Sequence, residues 1–305
     1  MEYPSVSVIV CTNKDGIANG MEACLNSLRG LSYPEDLVEY IVVNDGSTEQ
    51  TKQLVADNIP VFSRASLKLT QIINEPNRGL YASKQRAMQE KKHSSQVVAV
   101  TDDDCEVDPS WLTLLVPHYQ DPRVGSVGGR IDSKNDKTVL ERFAADPWNQ
   151  VLCNPENARF FHGANCSYRR AALESIGGFN PKLTSGGDAE VSFRLREAGW
   201  KLMYEPDAVV YHQHRTTLKG FWQQFKKYGH GDYYLLQKFN DARFTSGGMF
   251  WGEFMQACLE IPGRMACSFR EKDKKLVLTT PFLNIFKSAA WFSGYVSGYA
   301  KAARG

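Results

Sequence analysis

Apolar and polar positions run in two rhythms along the first hundred residues. Val6–Cys11 (VSVIVC) is a compact β-branched run, the pattern of a strand buried on both faces. Gly20–Leu28 then puts Met21, Cys24, Leu25 and Leu28 on one helical stripe. Glu39–Val43 (EYIVV) predicts a second buried strand, Thr51–Asp57 a polar helix and Leu67–Ile73 a third strand. Leu80–Glu90 reads as a helix and Gln96–Thr101 (QVVAVT) as a fourth buried strand. This β-α-β-α order predicts an α/β fold, a Rossmann-like, mainly parallel sheet with helices on both faces. Ligands of such sheets bind beyond the carboxyl ends of the strands. The polar clusters fall there: Thr12-Asn13-Lys14-Asp15 after the first strand, Asn44–Thr48 after the second, and Asp102-Asp103-Asp104 after the fourth.

The second half is less regular. Phe160–Tyr168 is expected to contain a strand, Arg169–Ile176 a helix and Gly177–Pro181 a turn. Asp188–Ala198 reads as a helix with Val191 and Leu195 inward, and Ala208–His214 as a last strand. Beyond it Leu218, Phe221, Phe225 and Tyr228 recur at helical spacing. The stretch Leu276–Tyr299 is apolar but broken by Pro281, Asn284 and Lys287, so it reads as membrane-adherent or core-packed rather than spanning.

Composition narrows the class. Apolar residues make up 42% and charged residues 23% of 305, which excludes intrinsic disorder. The formal net charge of +2 hides an uneven spread. Residues 1–214 hold 22 Lys+Arg against 28 Asp+Glu, and residues 215–305 hold 14 against 6, a net −6 and a net +8. The basic segment also carries Trp222, Phe225, Tyr228, Phe250, Trp251, Phe282, Phe286, Trp291 and Phe292. Cations interleaved with aromatics suit a peripheral membrane contact, and equally a cover packed on the body. Seven cysteines without a C-x-x-C pair fit a reducing compartment. With no signal-peptide pattern at the start, the expected location is the cytoplasm or the cytoplasmic face of a membrane.

Three adjacent carboxylates, Asp102-Asp103-Asp104, repel one another unless a divalent cation neutralises them, and hard oxygen ligands suit Mg or Mn. The alternative is a solvated acidic turn. Asp45 is placed to accept a hydrogen bond from a nucleobase or ribose, or to cap a helix. Asp188 is either a general base or a helix cap. His212 and His214 share one strand face, and either could contact a metal or a phosphate. No G-x-G-x-x-G follows the first strand and no G-x-x-x-x-G-K-[ST] occurs, so a dinucleotide oxidoreductase and a P-loop ATPase lose their main support. A sugar nucleotidyltransferase would show a glycine-rich basic loop at Cys11–Gly16, where only Lys14 is basic. A non-catalytic carbohydrate-binding protein is the rival outside enzymes. No nucleic-acid partner is expected.

Taken in order, the motifs resemble glycosyltransferase family 2, the inverting enzymes with a GT-A fold. The resemblance runs from Val6 to Tyr228. Its pieces are Ser7–Asn13, Val42-Val43-Asn44-Asp45-Gly46-Ser47-Thr48 (the family's VVDDGST), Asn77-Arg78-Gly79 and Thr101–Asp104 (its D-x-D region). Gly163-Ala164-Asn165, Gly177-Gly178-Phe179, the Asp188–Arg194 helix and His212 follow. The resemblance implies a nucleotide-sugar donor, UDP-linked by default, and a sugar, glycolipid or polysaccharide acceptor. It implies that Asp45 binds the base, with Arg78 and Thr12 nearby. Asp102, Asp104 and His212 would hold the metal and diphosphate, and Asp103 would face the ribose or sugar. Gly163, Ala164 and Asn165 would line donor sugar and acceptor, and Asp188 would be the base. Residues 1–214 would form the catalytic domain, with a nucleotide-binding half 1–110 and an acceptor half 111–214. Residues 215–305 would be a helical extension. Departures are Asn44 for the first Asp of VVDDGS, Asn13-Lys14 for the usual Tyr-Asn, and Gly187 where a Glu often precedes the base.

Overall fold

The computed structural model of the chain describes residues 3–14, 16–90, 95–145, 160–239 and 273–302. Asp15, Phe250 and Trp251 lie outside them. The strands are β1 Val6–Thr12, β2 Val38–Asp45, β3 Lys68–Asn74, β4 Val97–Asp102, β5 Cys105–Val107, β6 Val124–Ser133, β7 Cys166–Arg169 and β8 Lys201–His212. The helices are α1 Gly16–Asn19, α2 Met21–Arg29, α3 Glu49–Arg64, α4 Leu80–Gln89, α5 Trp111–Leu115, α6 Val139–Ala145, α7 Arg170–Ser175, α8 Gly187–Glu197, α9 Leu218–Phe239 and α10 Lys274–Ala302. The described residues up to 134, 160–183 and 187–213 form one compact unit, and the described residues among 135–145, 184–186 and 214–302 form another.

The first unit is an eight-stranded mixed sheet in the order β3-β2-β1-β4-β7-β6-β8-β5. The four strands expected from the apolar runs are β1 to β4, and they pair in parallel. Past β4 the sheet changes character: β7 runs antiparallel to both β4 and β6, and β5 antiparallel to β8. β6 and β8 return to parallel pairing, with register shifts at Val124/Ser126 and Gly129/Arg130. The strand expected within Phe160–Tyr168 is only its last part, and the last strand starts seven residues before Ala208.

Strand alternation divides the core in two. Val6, Val8 and Val10 of β1 pack with Met21, Cys24, Leu25 and Leu28 of α2 on one face. Ile9, with Ile41 and Val43 of β2, packs on the other face with Tyr81 and Met88 of α4 and Val191 and Leu195 of α8. β1, β2 and β4 are buried on both sides, so they read as nearly unbroken apolar runs rather than alternating ones.

The second unit is helical. Phe143 of α6, Phe221 of α9 and Leu283 of α10 form its core. The α9–α10 contact is close enough that a Cβ on Gly229 would lie 1.9 Å from the Trp291 carbonyl oxygen.

Candidate active site

The carboxyl ends of β1, β2 and β4 bring the polar clusters to one edge of the sheet, with Asp45 and Asp102 continuing the strand face covered by α4 and α8. Asp45 ends β2 and is 4% exposed. Its Oδ1 accepts from the Arg78 backbone N–H at 2.7 Å and from Asn74 Nδ2 at 3.1 Å. Its Oδ2 accepts from the Gly79 N–H at 2.8 Å. The helix-cap alternative falls away, because Thr48 caps α3 by accepting from the Thr51 N–H. Asp45 thus fastens the 77–79 loop, and one of its roughly four lone-pair directions remains for a ligand. Gly46, between them, has φ +66°, and a Cβ there would lie 2.8 Å from Asn77 Cβ, so a side chain is excluded twice over. The Arg78 side chain is exposed.

The three carboxylates after β4 part company. Asp103 is buried and accepts a 2.6 Å hydrogen bond from Thr12 Oγ1, which ties β4 to β1. Asp104 turns to β8, where its Oδ1 lies 3.3 Å from His212 Nε2 and accepts from the Cys105 thiol. Asp104, Cys105 and His212 are the group of ligand atoms that lie within 4.8 Å of one another among the described residues. Asp102 is outside that trio. Burial raises its pKa, the Asp104 and Asp188 charges raise it further, and Lys84 and His212 offset only part. The trio offers one carboxylate oxygen, one imidazole nitrogen and one thiol; the Asp104 carboxylate and the His212 imidazole are donors that suit a divalent cation in a cluster short of positive charge.

Asp188 lies in the first turn of α8, opposite α4. Its Oδ2 accepts from the Tyr81 hydroxyl at 3.0 Å, and its Oδ1 lies 3.0 Å from Lys84 Nζ. Lys84 is 1% exposed. Burial alone would lower its pKa, but Asp188 and Asp102 outweigh that and hold it well above the usual value. Burial, then the Asp188 charge, push the Tyr81 phenol up, so it stays a donor. The same ring explains Gly187: a Cβ there would lie 2.5 Å from Tyr81 Cε1. The side chain that often precedes the base has no room because Tyr81 fills its place. Glu190, the neighbouring carboxylate, is 2.6 Å from Arg194 and has a 1% exposed side chain, so it belongs to an internal ion pair.

Gly163 packs against the Asp188 carboxylate, since a Cβ would lie 2.4 Å from Oδ2. The Ala164 carbonyl accepts from Thr101 Oγ1. Asn165 points the other way. It is 1% exposed, its Nδ2 donates to the carbonyls of Arg130 and Ala208, and its Oδ1 accepts from Trp111 Nε1. Those bonds use its side chain to join β6, β8 and α5, and this corrects the expectation that it lines the donor sugar. The histidine that meets the acidic loop is His212.

Two residues of the site were not singled out from sequence, Tyr81 and Lys84. The signal was present: Tyr81, Lys84 and Met88 lie on one row of α4, all buried. A lysine on the inward stripe of an amphipathic helix needs a carboxylate opposite.

Comparison with known proteins follows the same lines. The model described as "Glycosyl transferase family 2" matches residues 7–177, and that described as "Glycosyl transferase family group 2" matches residues 97–295. Among curated relatives, glycosyltransferase AglE of Haloferax volcanii is 28% identical over 225 residues, 73% of this chain and 71% of that protein. The probable glycosyltransferase YdaM of Bacillus subtilis is 26% identical over 78% of this chain, and the match spans 57% of YdaM. The pre-mycofactocin glycosyltransferase of Mycobacterium tuberculosis is 30% identical over 74% of this chain, spanning 46% of that protein. Among solved structures, the mannosyltransferase PcManGT from Pyrobaculum calidifontis, in complex with GDP-Man and Mn2+, superposes with a TM-score of 0.72 at 19% identity, covering 98% of this chain and 88% of that one. TarS 1–349 from S. aureus with UDP-GlcNAc gives 0.56 at 18%, covering 98% and 92%. At these identities the structural likeness is one of fold.

Proposed function

Because the chain belongs to glycosyl transferase family 2 and is a glycosyltransferase of GT-A fold, we propose that it moves a sugar from a nucleotide-diphosphate sugar to an acceptor hydroxyl by a single inverting displacement. The observation that carries this reading is Asp188, a carboxylate gripped at both oxygens by Tyr81 and Lys84 on the sheet face where Asp45 and Asp102 end their strands. Each oxygen of Asp188 keeps a lone pair for an acceptor hydroxyl. As the acceptor oxygen attacks the anomeric carbon, Asp188 takes its proton. The bond to the diphosphate breaks on the opposite face, and the diphosphate leaves with that electron pair.

Asp45 and the 77–79 loop it anchors are assigned to the base and ribose. Residues 1–214 are the catalytic part. Asp104 and His212, with Asp102 beside them, would hold Mg or Mn, which when bound neutralises charge on the leaving diphosphate. The donor is taken as UDP-linked. The acceptor is a sugar, glycolipid or polysaccharide, and the basic segment 215–305 is the part assigned to meet a membrane. Support for the donor class comes from fold neighbours held with GDP-Man and with UDP-GlcNAc.

The test is product formation from a panel of UDP- and GDP-sugars with Mn2+ present, the anomeric configuration of the product being read by NMR. An inverted linkage from one UDP-sugar is expected. A retained configuration overturns the single displacement, and activity with GDP-sugars alone overturns the donor assignment.

A further inference from the structure

Helix α10 carries apolar side chains on its outer face as well as its inner one, where Leu283 and Ala290 are buried. Thr280, Asn284 and Ser288, four residues apart, are 5–8% exposed. Leu278, Phe282, Ile285, Phe292, Val296 and Tyr299 are 41–74% exposed. With Ala289 in the gap, these apolar positions step by four and three residues along one face of the helix. At 1.5 Å per residue the seam is about 32 Å long. A helix meant for water buries its apolar face and shows its polar one. Single exposed apolar residues are ordinary, but six large ones aligned on one helix face mark an interaction surface.

The chemistry of the helix selects the occupant. Residues 274–302 contain Lys274, Lys275, Lys287 and Lys301 and not one Asp or Glu. Lys275 and Lys301, at the two ends, are exposed. A second copy laid on the seam would set lysine among lysines with no carboxylate to answer, which disfavours a helix pair. No helix among the described residues is long and apolar enough to cross a membrane. Apolar side chains along one face and cations at the ends match a helix lying in the plane of an anionic lipid surface.

We propose that the seam from Leu278 to Tyr299 is a membrane-contact face. It lies flat on anionic headgroups with Phe282, Ile285 and Phe292 in the acyl boundary and Lys275 and Lys301 at headgroup level. This sharpens the membrane contact in the reading above by naming its face. Lipid binding is measured without donor or turnover, so its failure leaves the transfer reaction standing.

The experiment is flotation of the full chain with vesicles of phosphatidylcholine alone or mixed with phosphatidylglycerol, at low and high salt. Phe282→Glu and Phe292→Glu are compared with the unaltered chain after matching their melting curves and circular dichroism. Both positions are exposed, so the fold should hold. Binding to phosphatidylglycerol vesicles is expected to fall roughly tenfold or more for each exchange of phenyl for charge. Salt should weaken binding without abolishing it, because apolar contact persists. Absence of binding at low salt overturns the proposal, as does binding by both variants equal to that of the unaltered chain. Sedimentation velocity supplies a further check: self-association removed by Phe282→Glu would make the seam an interface between copies and overturn the lipid assignment.

Discussion

At the residue scale the site turns on three side chains from two helices. Lys84 and Tyr81 of α4 hold the two oxygens of Asp188 on α8. Asp188→Asn should cut kcat by about 10²–10⁴, the usual worth of a general base. It should also cost about 3–5 kcal/mol of stability, because it strips buried Lys84 of its bonded counter-ion. Steady-state rates and melting curves taken together check both. Tyr81→Phe is the finer instrument. It keeps the ring that fills the space above Gly187 and removes one hydrogen bond to a charged acceptor, worth about 1.5–3 kcal/mol. The expected result is a lower kcat with donor KM unchanged, and an unaltered kcat would reduce the hydroxyl to packing. For Asp45, alanine should weaken UDP binding roughly ten- to a hundredfold. Unchanged affinity by titration calorimetry would leave Asp45 only as the anchor of the 77–79 loop.

At the element scale β1, β2 and β4 were legible because each is a β-branched run buried on both faces, and β3, at the sheet edge, because Leu69 and Ile72 still give it a buried apolar residue on each face. β5, β6 and the start of β8 were not. β6 contains Gly125, Gly128 and Gly129, and β8 is interrupted by Pro206, so neither shows a clean apolar run. Their pairing is set by partners far along the chain, Val124 with Lys201 and Arg130 with Val209. α10 begins on a polar device of its own: Asp273 accepts from the Leu276 N–H at 3.0 Å and from Arg142 of α6 at 2.5 Å. The Leu276 N–H, with Arg142 adding to it, holds the Asp273 carboxyl below the usual carboxylate range. A lowered value gives stability that is present above the unfolded pKa of about 3.9 and lost as pH falls through the folded one. Asp273→Ala should therefore cost about 1 kcal/mol at neutral pH. The difference from the unaltered chain should shrink below pH 4, as read by denaturant unfolding across pH.

At the scale of the whole molecule, charge is sorted along the chain, net −6 over residues 1–214 and net +8 beyond. In the first unit Asp45, Asp102, Asp103, Asp104 and Asp188 gather at strand and helix ends with Lys84 as the buried lysine among them. That imbalance predicts dependence on a divalent cation. Transfer should stop in excess chelator and return with added Mn2+ or Mg2+, and full turnover in chelator would remove the metal role of Asp102, Asp104 and His212.

Local apolar runs and short motifs carry the parallel half of the sheet, the polar loops at its carboxyl edge and the family, so these are readable in the chain before it folds. Those patterns leave open what Asp45, Asp188 and the two histidines do, since a cap, a base and a ligand look alike in one dimension. Only the folded chain showed Asn165 as a joint between strands, His212 beside Asp104 and Lys84 beneath Asp188. Each of these is a contact across dozens of residues or a choice of which way a side chain points. Packing decides both, and no local pattern encodes them.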